Sequence, residues 1–203
     1  MIALNRMLFA FLSSIKKEFR ELLNEAYSLK LSSGSMELLD YQDNEEYISS
    51  YYSPGNSCTP AIILRLGKEW LNQKAVSILD GVNQNTEYYP CFYILVDPYE
   101  LQAALTIKCG EKFEPYDFSS VKERINEEFN FKKKITGWID WDLIRYDSRK
   151  INFRNYDSED GVLRLFDNGS LILTDDKAKQ IAESALSYFN GLIGSDKILV
   201  YPE

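Results

Sequence analysis

Apolar side chains recur at three- and four-residue steps from Leu4 through Leu8, Phe11, Leu12, Ile15, Phe19, Leu22, Leu23, Ala26 and Leu29. That period predicts one long amphipathic helix over residues 2–31. Ser32-Ser33-Gly34-Ser35 ends it with turn chemistry. The acidic stretch that follows reads as a short helix or a loop, and Tyr51-Tyr52-Ser53-Pro54-Gly55-Asn56 as a loop. The runs AIILRL (61–66) and KAVSIL (74–79) read as strands. Tyr88 to Val96 is a third strand, broken by Asp97-Pro98, and Glu100 to Lys108 returns as its hairpin partner. Ser120 and Glu123 stand at N-cap and N3 spacing, a capping box opening a helix with Ile125 and Phe129 on its apolar side. Residues 135–156 are rich in Trp, Ile and Tyr without a decisive period. Val162–Phe166 and Ser170–Leu173 flank Asp167-Asn168-Gly169, a strong hairpin signal. A last helix starts at Asp175 and Asp176, with Ala178, Ile181, Ala185, Leu186, Phe189 and Leu192 on its apolar face and Gly191 and Gly194 at its end. The expected fold is a single α+β domain over 1–203, a largely antiparallel sheet with long N-terminal and C-terminal helices packed against it.

Within Tyr88–Val96 the two-residue alternation separates two sets. Tyr88, Pro90, Phe92, Ile94 and Val96 are apolar enough to face the core, which leaves Tyr89, Cys91, Tyr93 and Leu95 on the other side. Tyr89 and Tyr93 then lie along one face and can wall a flat pocket for a planar ring. A base stacked there gains ~1–3 kcal/mol per contact, comparable to the cost of unstacking it from a duplex. The alternative is that the terminal helices cover this face and both tyrosines are core.

Composition narrows the chemistry. The chain has 14 tyrosines and no histidine, which removes the commonest general base and the Ser-His and Cys-His nucleophile pairs. Cys58, Cys91 and Cys109 are dispersed, which fits neither a zinc set nor a disulfide framework and suggests a reducing cytoplasm. No apolar run approaches the ~18 residues needed to span a membrane. Neither GxxxxGK[ST] nor GxGxxG occurs, so nucleotide hydrolysis and dinucleotide binding are not expected of this chain, and no cofactor is implied. Asp97, Glu100 and Lys108 are the one set resembling a nuclease site. Eight strand steps of ~3.3 Å hold Glu100 and Lys108 roughly 26 Å apart, so they cannot share a metal. The net charge of −8 opposes nucleic-acid binding, but the charges are segregated. Glu37 to Glu46 holds five acids and no base, whereas Lys132 to Arg154 holds seven bases against three acids.

Several landmarks occur in a telling order: the Pro60-led strand TPAIILRL, Tyr89-Pro90 opening the next strand, the DPYEL turn at Asp97–Leu101, and Phe118-Ser119-Ser120 leading to a helix that ends at Phe129. Together with the C-terminal hairpin and closing helix, they resemble the N-terminal DNA-binding domain of McrB, the specificity subunit of modified-cytosine-dependent restriction. The resemblance is detailed over roughly residues 50–130 and in outline elsewhere. It implies a module that flips a modified base from double-stranded DNA, methylated or not, into an aromatic pocket. The pocket positions fall on Tyr89, Tyr93 and Ala61. Ala61 stands where the family has a tryptophan, and Trp70 and Trp138 are candidate replacements. Tyr51 or Tyr52 falls on the loop aromatic that wedges into the duplex. Lys132, Lys133, Lys134, Arg145, Arg149, Lys150 and Arg154 are the expected phosphate contacts. The implied partners are a AAA+ GTPase motor and a nuclease subunit, with no membrane and no catalysis by this chain. The competing expectation is an acidic interaction module of inhibitor or immunity type that presents Glu37–Glu46 to a basic partner.

Overall fold

The computed structural model describes residues 2–39, 61–81, 87–97, 100–110, 114–115, 118–130, 139–144, 166–167, 170–171, 173–194 and 197–203. Helix α1 (Ile2–Ser32) opens the chain, followed by β1 (Met36–Leu39) and β2 (Ala61–Leu66). A 3-10 turn (Lys68–Trp70) leads to α2 (Gln73–Asp80) and the hairpin of β3 (Tyr88–Asp97) and β4 (Glu100–Cys109). Then come β5 (Glu114–Pro115), a 3-10 turn at Phe118–Ser120, α3 (Lys122–Phe129), β6 (Asp140–Leu143), β7 (Phe166–Asp167), β8 (Ser170–Leu171) and α4 (Asp175–Leu192). The fold is α+β, with helices at both termini, as the periodicity predicts.

The sheet runs β1-β2-β3-β4-β5, with β6 also on β4, and every pairing is antiparallel. The hairpin closes at Asp97↔Glu100 and keeps register to Tyr88↔Cys109. The β7–β8 pair, with Phe166↔Leu171 and Asp167↔Ser170, forms a separate two-stranded ribbon where the Asn-Gly signal places a hairpin.

One sheet face carries the main core. Met36, Ile62, Leu64, Leu66, Tyr88, Phe92, Ile94, Leu101, Ala103, Leu105 and Ile107 meet the buried sides of the described helices there. Phe19 of α1 stacks on Phe92 with centroids 6.2 Å apart, and Phe189 of α4 meets Phe92 edge-on at 5.2 Å. Each such ring contributes roughly 1.5–3 kcal/mol by burial alone. In α1 the buried stripe runs Leu12, Ile15, Phe19, Leu23, Tyr27. The expected members Ala26 and Leu29 fall outside it, and Leu29 is 80% exposed. Tyr27 leaves helical geometry (φ −136°, ψ 30°) where its ring packs against Trp70, Phe189 and Tyr201 and its hydroxyl bonds Asn190. Gly34, at φ +76°, then takes the left-handed turn that reverses the chain into β1.

Two local expectations are corrected. Residues 74–79 are helical, because Ala75, Ile78 and Leu79 bury one face at helical spacing and Asn72 caps the first turn, accepting from the Ala75 amide at 2.8 Å. The alternation of a six-residue apolar run fits both periods, and the cap decides it. The helix near residue 120 forms, but not with a capping box. Ser120 is consumed in the 3-10 turn, and Val121, at the N-cap, makes no side-chain cap bond. Ile125 and Phe129 are buried as expected, and Asn130 ends the helix in the left-handed conformation (φ 46°).

Candidate nucleic-acid interface

Tyr89, Cys91, Tyr93 and Leu95 do form the second face of the sheet. They share a smaller cluster with Ile63 and Ala104, edged by Leu39 and Ala61. Its described members all come from β1 to β4, whereas the described helices bury their apolar sides on the opposite face. The expectation that terminal helices cover Tyr89 and Tyr93 is therefore not met among the described residues. Ala61 lies on this face too, opposite Leu95 in β3, so the three pocket positions inferred from the sequence are on one surface.

The two tyrosines differ. Tyr93 is only 6% exposed, between Ile63 on β2 and Ala104 on β4. It is a floor of the face rather than an open wall. Tyr89 is half-buried, at the polar end. Arg65 lies over the Tyr89 ring at 5.3 Å, and the Lys108 ammonium lies 5.7 Å from the Tyr93 centroid. Both distances fall within the range of cation–π attraction, worth about 0.5–1 kcal/mol at exposed sites.

Strand register explains why these groups meet. Arg65 opposes Cys91 and Lys108 opposes Tyr89, so β2 and β4 each place one cation beside the tyrosine ladder of β3. Glu37 of β1 opposes Arg65 and forms an ion pair with it. Thr106 and Cys91 are paired beneath them, and both are buried. Burial pushes the Cys91 thiol up to about 12, against the pull of Lys108 and Arg65, so it stays protonated and is no nucleophile at neutral pH. Burial also holds the Lys108 amine below its usual range, opposed by the nearby Cys91 and Cys109.

Arg65 is not among the residues singled out from the sequence, Lys108 is weighed there only as part of a metal set, and Glu37 only as the start of an acidic stretch. Lys108 was legible: a hairpin closing at Asp97 and Glu100 pairs residue 89 with 108. Arg65 alternates with Ala61 and Ile63, but its position beside Cys91 depends on the β2–β3 register, which no local signal encodes. Trp70 is corrected as a pocket wall. It is fully buried in the helix-side core, against Tyr27 and Phe189, with its indole N–H donating to Ser35. Tyr51, Tyr52, Trp138 and the phosphate contacts proposed at Lys132, Lys133, Lys134, Arg145, Arg149, Lys150 and Arg154 lie outside the described residues. Asp97 and Lys108 stand at opposite ends of the hairpin. Among the described residues no group of three acids or cysteines is placed to hold a metal. No described helix is long and apolar enough to cross a membrane.

Among the described residues, fold and face together define an α+β domain with a two-sided antiparallel sheet, helices on one side and a cation-flanked tyrosine ladder on the other. No protein-family model, curated protein or solved structure matches the chain.

Proposed function

We propose that this chain is a DNA-binding specificity module of a restriction or defence system, acting in the cytoplasm, and that it receives a base of double-stranded DNA on the Tyr89 face. The observation that carries this reading is the pairing of Arg65 over Tyr89 with Lys108 beside Tyr93, on the side of the sheet away from the described helices. A ring stacks on an aromatic face while cations neutralise its flanking phosphates, a combination suited to an unstacked nucleotide. The resemblance to the N-terminal domain of McrB supports the same reading, as does the placement of Ala61 on this face. It also supplies the division of labour: this chain selects the site, and a AAA+ GTPase motor and a nuclease subunit hydrolyse nucleotide and cut. A Tyr89 face packed under α1 would favour the acidic interaction module instead, and α1 packs on the other face.

The roles within the face follow from exposure. Tyr89 offers the stacking surface, Tyr93 and Leu95 form a dry floor, and Arg65 and Lys108 contact phosphate. The test is binding of labelled duplexes, with and without modified cytosine, across a salt series. Tyr89→Ala is expected to weaken binding about five- to a hundredfold, the equivalent of one base stack. Absence of binding to every duplex at low salt, equal binding of modified and unmodified duplexes, or wild-type affinity in Tyr89→Ala would overturn the reading.

A further inference from the structure

Two contacts of Arg65 lie among the described residues. Its guanidinium lies 5.3 Å from the centre of the Tyr89 ring, and it is ion-paired with Glu37 on the neighbouring strand. Both side chains are partly open to solvent, Arg65 34% and Glu37 48%. The pair is set by register, since Glu37 and Arg65 are directly opposed in β1 and β2. A carboxylate and a phosphate make the same planar, charge-assisted contact with a guanidinium. We propose that Glu37 is a charge gate: its carboxylate occupies on Arg65 the place that a nucleic-acid phosphate takes in the complex, and binding requires the exchange.

This inference rests on the DNA-binding reading and adds its regulation. It explains how a strongly acidic chain keeps a cation at the tyrosine face without holding every passing anion. A weak anion does not displace Glu37, whereas a polyanion that also stacks on Tyr89 and reaches Lys108 does. Exposed ion pairs are individually weak, so the gate sets a modest threshold rather than a lock.

The experiment compares four full-length proteins by fluorescence anisotropy with a labelled duplex over a salt series: wild type, Glu37→Gln, Arg65→Gln and the double variant. Glu183→Gln, which removes an exposed acid from α4, controls for net charge. Glu37→Gln is expected to bind roughly two- to fivefold more tightly than wild type at low salt, with a salt slope steeper by up to about one. Glu183→Gln is expected to stay near wild type. In the Arg65→Gln background, removing Glu37 should gain no more than the control does. If Arg65→Gln weakens binding while Glu37→Gln leaves affinity and slope unchanged, the gate is refuted and the DNA-binding reading stands. An equal gain from Glu183→Gln, or an undiminished gain from Glu37→Gln in the Arg65→Gln background, also refutes the gate. If none of the proteins binds the duplex, both fall together.

Discussion

Replacing Trp70 by phenylalanine separates a core tryptophan from a ligand-contacting one. The indole is fully buried, and its N–H donates to both the carbonyl and the hydroxyl oxygen of Ser35 at 2.9 Å. Phenylalanine keeps an aromatic ring near Tyr27 and Phe189, whose centroids lie 5.9 and 5.8 Å from the indole. The donor is lost, but the Ser35 carbonyl also accepts from the Gly67 amide at 2.9 Å, so it is not orphaned. The hydrogen-bond loss is therefore near the ordinary net value of about 1 kcal/mol. The smaller ring leaves a void of about 40 Å³, which at ~24 cal/mol per Å³ adds about 1 kcal/mol, with a similar amount for the lost transfer of ring atoms. A total of about 2–3 kcal/mol lowers the urea midpoint by about 1 M for a typical slope. Duplex affinity, measured well below the transition, should not change, because Trp70 is on the helix side of the sheet. An unchanged midpoint together with collapsed DNA binding would refute this placement.

Three further outcomes are expected. Asn72→Ala removes the cap on α2 and the bond from its amide to the Lys197 carbonyl at 2.7 Å; a destabilisation of about 1–2 kcal/mol should appear in equilibrium unfolding, and none would mean the cap is replaced locally. Tyr93→Ala should cost several kcal/mol, as buried large-to-small changes do, whereas Tyr89→Phe should be nearly neutral for stability and should keep stacking; the reverse order would exchange their roles. Because the Cys91 thiol is raised from 9.0 to about 12, the unfolded chain releases that proton first; its contribution is intact below about pH 9 and is lost as pH rises from there to about 12. Urea midpoints between pH 7.5 and 10.5 should fall less steeply in Cys91→Ala than in wild type, and equal slopes would contradict the assignment.

Much of this fold is legible because long elements repeat their period many times. The α1 and α4 stripes and the two-sided alternation of β3 each rest on several turns or pleats, and small errors such as Ala26 or Leu29 do not disturb them. Short elements fail for the opposite reason. KAVSIL carries too few residues for its period to show, so the decisive residue, Asn72, lies outside the apolar run. At Ser120 a correct cap pattern yields to the 3-10 turn that seats the buried Val121. The site divides in the same way. Tyr89 and Tyr93 are placed by alternation within one strand, and Lys108 by the closure of one hairpin. Arg65 and Glu37 depend on two successive inter-strand registers, and pairing partners across 28 residues of sequence have no local signature.

The net charge of −8 is the strongest objection to the proposed nucleic-acid surface, and the proposal meets it with the distance of the described helix acids from that face. Exposed acids such as Glu21, Glu25, Glu123, Glu127 and Glu183 sit on helices whose buried sides meet one face of the sheet. A helix is about 10–12 Å across, so an acid on its outer side is separated from the far face of the sheet by more than the ~8 Å screening length at physiological salt. The charges that the described strands place by the tyrosine rings include Arg65 and Lys108, each within 6 Å of a ring, and Glu37, which β1 places against Arg65. Among the described residues, the helix acids lie on the side away from the tyrosine face, and the proposed gate concerns the Glu37–Arg65 ion pair beside Tyr89.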